Sequence, residues 1–144
     1  MDLRRLRAGE WVAAASGVTL LVSLFLPWYE PTTSAWESLA AIDVLLAFVA
    51  ASGILLAIVT AVQRVPAVPI ATSALVAISG MFGVLLVLFR LIDIPDGAAG
   101  REWALWLGVA GALGIVAGAF IAMRDEIRPG ATRPDIPGIP APRP

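Results

Sequence analysis

Four stretches of the chain carry neither a charge nor a polar stripe: residues 11–29, 44–63, 65–89 and 103–123. A helix on the surface of a water-soluble protein turns a polar face outward every 3.6 residues. None of the four does. An apolar run of about 17–25 residues is long enough to cross a bilayer as a helix. The pattern therefore predicts an all-α membrane protein. Its expected architecture is a four-transmembrane-helix antiparallel bundle with spans at about 11–28, 39–63, 66–91 and 103–123. Short connections make consecutive helices antiparallel neighbours.

Local signals place the ends. Pro27 closes the first span, because proline lacks the N–H that a helix needs. Ser34 and Glu37 have the S-x-x-E spacing of a capping box. That box starts the second helix near Ala35 and carries it to about Val62. Pro66 and Pro69 suit the first turn of the third helix, where a missing N–H costs nothing. Pro95-Asp96-Gly97 marks a turn before the fourth. Beyond Arg124 the character changes, and Pro129, Pro134, Pro137, Pro140, Pro142 and Pro144 crowd a short stretch. Residues 1–126 read as the membrane domain. Residues 127–144 read as a proline-rich, disordered cytoplasmic tail.

Charge then sets the threading. Arg4, Arg5 and Arg7 precede the first span, and Arg64 lies between the second and third. Arg124, Arg128, Arg133 and Arg143 follow the fourth. Only Arg90 and Arg101 fall on the other side. By the positive-inside rule both termini are cytoplasmic, and the expected location is a bacterial plasma membrane. The first run is too long for a secretory h-region and ends in Leu26-Pro27-Trp28-Tyr29, so it reads as an uncleaved span.

Composition supports the same class and removes several chemistries. The 144 residues are 59% hydrophobic and 15% charged, against about 45–50% and about 25% in soluble domains. Histidine and cysteine are absent, and every basic residue is arginine. That excludes imidazole acid–base work, thiolate metal sites and cysteine nucleophiles. A net charge of −1 argues against a nucleic-acid partner. The sequence has no Walker motif or dinucleotide fingerprint. No cofactor, metal or enzymatic activity is expected.

Three groups of residues stand out. Asp43 and Arg90, counted from the connection near 63–67, both fall about 30–37 Å away along their helices. They therefore share a height. A charge at mid-bilayer costs about 2.5–3.5 kcal/mol, so partners are expected there. Three readings stay open: ordinary interfacial charges with Arg90 snorkelling, an inter-helix ion pair, or a ligand site. Asp93 is a rival partner on the same helix. Trp28, Tyr29, Trp36, Trp103 and Trp106 gather at the outer boundary. They are either an aromatic belt or an outer cap that binds an apolar or cationic ligand through ring faces. Gly108, Gly111, Gly114 and Gly118 share one helix face. Such small residues let helices approach closely, within the chain or against a second copy.

The start Leu3-Arg4-Arg5-Leu6-Arg7-Ala8-Gly9-Glu10-Trp11, the exit Phe25-Leu26-Pro27-Trp28-Tyr29, the following Ala35-Trp36-Glu37 and the close Ala122-Met123-Arg124-Asp125-Glu126 carry a resemblance. Together they resemble uncharacterised small four-span integral membrane proteins of high-GC bacteria. The resemblance implies the topology and no site residues.

Functionally, the sequence points to a non-enzymatic interaction or structural subunit. Its partners would be the lipid bilayer and either another membrane protein or a second copy. The alternative is an outer-leaflet protein that binds or transports a lipid or small solute.

Overall fold

The computed structural model describes residues 6–30, 33–38, 40–62, 67–94 and 98–126. The arginines at 4, 5, 64, 128, 133 and 143, the turn at 95–97, Pro66 and the proline tail lie outside the described residues. Helix α1 spans Ala8–Ser23. A hairpin of β1 (Pro27–Tyr29) and β2 (Thr33–Ser34) follows, then a one-turn helix α2 (Ala35–Ser38). Three long helices complete the order: α3 (Ala40–Val62), α4 (Ala67–Ile92) and α5 (Trp103–Glu126).

Helices α3, α4 and α5 are long and apolar enough to cross a membrane, and α1 is a shorter apolar helix. The four pack in a ring, with α1 and α4 each lying between α3 and α5. Matched residues give the directions. A Cβ at Gly53 would lie 2.8 Å from the Ala13 carbonyl, and one at Gly17 would lie 2.5 Å from the Ala50 carbonyl. Higher numbers on α3 thus meet lower numbers on α1, so the two are antiparallel. Ser52 and Ser79 share a 3.1 Å hydrogen bond between α3 and α4, while Gly83 faces Val49. That pair is antiparallel as well.

The core is made of small and branched side chains. Ala13, Leu20, Leu46, Ala112 and Ile115 are fully buried. The outside is apolar too: Phe48, Leu75, Ile78 and Leu85 are each 65–69% exposed. Core and surface are therefore not separated by polarity.

The first span departs from the expected 11–28. Helix α1 has 16 residues and rises about 24 Å, short of a hydrocarbon core of about 30 Å. Its exit is tightened by hydrogen bonds from the N–H of Phe25 to the Val22 carbonyl and from that of Leu26 to the Ser23 carbonyl. Pro27 then disfavours helical backbone at the residue before it. Residues 27–29 form a strand instead. Helices α2 and α3 together cover the expected Ala35–Val62, with Leu39 between them outside the described residues. The Glu37 carboxylate does reach back to the Ser34 N–H at 2.9 Å. The Ser34 hydroxyl donates to that same carboxylate at 3.1 Å, rather than accepting a backbone N–H.

Candidate functional site

The site is assembled at the end of the bundle where α1 and α4 finish and α3 and α5 begin. Strand β1 is its floor. One edge of β1 pairs with β2. The other edge pairs with the strand-like residues before α5. The Glu30 N–H donates to the Gly100 carbonyl at 3.2 Å, Ala99 N–H to the Glu30 carbonyl at 3.2 Å, and Glu102 N–H to the Trp28 carbonyl at 2.8 Å. The result is a narrow three-ribbon cap.

Beneath the cap, Arg90 of α4 meets Asp43 of α3. The Arg90 Nη2 lies 3.2 Å from each Asp43 carboxylate oxygen, and both side chains are fully buried. The same Nη2 lies 3.2 Å from the Ala35 carbonyl. Two hydrogens thus serve three oxygens. A tight guanidinium–carboxylate bond runs about 2.7–2.9 Å, so this contact is shared and longer. The guanidinium carbon also stands 5.6 Å from the centre of the Tyr29 ring, within cation–π range. One arginine therefore ties together α2, α3, α4 and β1.

The last turn of α4 explains why the cap sits here. The final carbonyls of a helix have no partner within it. The Phe89 carbonyl accepts from the Asp93 N–H at 2.8 Å. The Arg90 carbonyl accepts from the Tyr29 hydroxyl at 2.8 Å, and the Leu91 carbonyl from Arg101 Nε at 2.7 Å. Asp93 continues the helix's own ladder, while Tyr29 and Arg101 reach in from elsewhere in the chain. Two arginines near a helix C-terminus also complement its dipole.

The five aromatic residues differ in burial. Trp28 and Tyr29 are fully buried. The Trp28 indole donates to the Ser23 carbonyl at 2.6 Å, and its ring edge packs against Gly108. Trp103 and Trp106 are each 57% exposed on α5. Trp36 is half-buried and pairs with Phe25 at 5.8 Å between ring centres. Buried rings turned toward protein do not offer their faces to a ligand. Of the five, Trp103 and Trp106 are the exposed rings.

Burial raises the Tyr29 phenol above its ordinary value of 10.0, partly opposed by the Arg90 charge. The Ser34 N–H and hydroxyl hold the exposed Glu37 carboxyl below its ordinary value. Both groups lie on the cap, outside the long helices.

All four glycines of the α5 stripe face α1 and its exit. Gly108 meets Trp28, Gly111 meets Leu20, Gly114 meets Ser16, and Gly118 meets Ala13 and Gly9. The stripe is consumed inside the chain. At the far end Arg7 Nη1 donates to the Asp125 carbonyl at 2.7 Å, and Glu10 accepts the Arg7 N–H at 2.9 Å. Read as topology signals alone, Arg7 and Arg101 gave no hint of these contacts. Their positions beside helix ends were the available clue. Among the described residues, no group of three acidic side chains is placed to hold a metal ion.

Comparison of the chain with known protein families, curated proteins and solved structures finds no match.

Proposed function

We propose that this chain is a small multi-pass protein of a bacterial plasma membrane, with both ends on the cytoplasmic side. We read it as a non-enzymatic interaction or structural subunit. One observation carries the reading: the sides of the bundle are apolar while its charges are tied up or placed at the ends. Phe48 on α3, Leu75, Ile78 and Leu85 on α4, and Leu113 on α5 point outward. The only charges within the long helices away from their last turn at the far end are Asp43 and Arg90, and these are fully buried. A lateral surface of that kind is stable against lipid and unstable against water.

The same geometry supports the orientation. Arg90 and Arg101 are the two arginines that run against the positive-inside rule. Both give hydrogen bonds to acceptors within the chain. Arg90 is neutralised by Asp43, which leaves the count of arginines weighted toward the opposite end.

Because the chain has no cysteine, single-cysteine variants report topology directly. Ala8 and Ala99 are exposed and lie at opposite ends. In intact cells a membrane-impermeant maleimide should label Ala99→Cys and spare Ala8→Cys until the cells are opened. Labelling of Ala8→Cys from outside would overturn the orientation. Purification in mild detergent tests the subunit reading. A membrane partner or second copy at fixed stoichiometry is expected; a bare monomer across several mild detergents would count against it.

A further inference from the structure

The Asp43–Arg90 pair joins two consecutive helices, α3 and α4, near the ends farthest from their connection. In the proposed orientation, on which this inference rests, both charges must travel the full width of the bilayer to arrive there. Arg90 would arrive as a positive charge on the side that disfavours it. We propose that Asp43 acts as an insertion partner: it neutralises Arg90 during membrane entry, so that α3 and α4 cross as a pre-paired hairpin and α4 takes its correct direction.

Four observations support a hairpin rather than two separate crossings. Only four residues lie between the described ends of α3 and α4, so the helices meet as soon as both form. Their register is continuous: Asp43 meets Arg90, Val49 meets Gly83, and Ser52 meets Ser79. The Ser52–Ser79 hydrogen bond joins the helices partway along, where such bonds replace a hydrophobic drive. Gly83 lets the helices close, since a Cβ there would lie 2.6 Å from Val49. An isolated buried arginine disfavours insertion by tens- to hundreds-fold at the bilayer centre, and less toward its edge. The cap cannot help at that stage, because its third ribbon precedes α5 and forms only once that helix follows. Asp43 is available early, since it belongs to the helix made just before α4.

The test uses Ala99→Cys in full-length protein, with labelling by an impermeant maleimide in intact cells and the membrane fraction recovered afterwards. Asp43→Asn in this background should reduce outside labelling per inserted chain by about five-fold or more. Adding Arg90→Gln should restore it to near the parent level, since no charge then has to cross. A clasp that only stabilises the finished fold predicts something else: Asp43→Asn would lower thermal stability in detergent while labelling stayed at the parent level. That result overturns the proposal, as does a double variant that labels no better than Asp43→Asn. Labelling reports the side of residue 99 even in a chain that packs badly, so misfolding does not mask the answer. If the Ala99→Cys parent itself is not labelled from outside, the orientation fails, and that failure is distinct from either outcome.

Discussion

Gly111 measures how closely α1 lies on α5. A Cβ added there would fall 2.8 Å from the Leu20 nitrogen, 2.9 Å from its Cβ and 3.0 Å from its Cα. Ordinary contact begins near 3.4 Å. In Gly111→Ala, α1 must therefore retreat by about 0.5 Å. The neighbour is backbone, so no rotamer change can absorb the shift. A gap of about 0.5–1 Å forfeits a quarter to a half of each dispersion well, and each atom pair is worth about 0.1–0.2 kcal/mol. Spread over a few tens of pairs along the seam, the loss is about 1–2 kcal/mol, and residual overpacking adds about 1 kcal/mol. Alanine returns about 1 kcal/mol through helix propensity. The net expectation is a destabilisation of about 1–2 kcal/mol, read by reversible unfolding in mixed micelles.

Ala117 supplies the control because it is exposed on the same helix. Ala117→Gly should cost about 0.5–1 kcal/mol through backbone entropy alone. Exchange in either direction between glycine and alanine is thus unfavourable, for opposite reasons on opposite faces. If Gly111→Ala equals or exceeds the parent in stability, propensity has won and the close seam between α1 and α5 is wrong.

Two further outcomes follow from the cap and the pair. Removing one charge as Asp43→Leu or Arg90→Leu should cost about 3–5 kcal/mol, while the double replacement should recover most of it, because a buried pair is worth little against apolar packing; additive losses in a double-mutant cycle would refute this. Tyr29 is the sole tyrosine, so its ultraviolet ionisation titrates one group. With its folded value raised above 10.0 by burial, its contribution to stability is complete below about pH 10 and is lost as pH climbs through the higher folded value. Tyr29→Phe should remove that alkaline loss and cost about 1–2 kcal/mol at neutral pH through the bare Arg90 carbonyl; a phenol that ionises at its ordinary value would contradict the burial.

Much of the fold was legible because hydrophobic run length is a local property. The helices at 40–62, 67–92 and 103–126 follow directly from uncharged stretches that leave no polar face. The glycine stripe was equally plain from spacing. Its partner was not, since a small-residue face fits a neighbour in the same chain as well as one in another. The structure placed it against α1 through Leu20, Ser16 and Ala13. Helix α1 ends before the expected span because an apolar count passes through Phe25 and Leu26, whose N–H groups have already switched to carbonyls three residues back. Burial divides the five aromatic residues in a way that position along the chain does not show. Sequence position put five rings at one height but could not say which turned inward.

The sequence by itself determined that the chain is mostly apolar helix, where the charges fall, and that Asp43 and Arg90 share a height. Those facts depend only on rise per residue and on the cost of exposing polar groups to hydrocarbon. Tertiary structure alone decided what the charges do. Arg90 reaches Asp43, Ala35 and the Tyr29 ring at once, and Tyr29 and Arg101 close the last carbonyls of α4. Those contacts join residues 10 to 61 positions apart. Their directions depend on how helices rotate about their own axes, and packing fixes that rotation where composition does not.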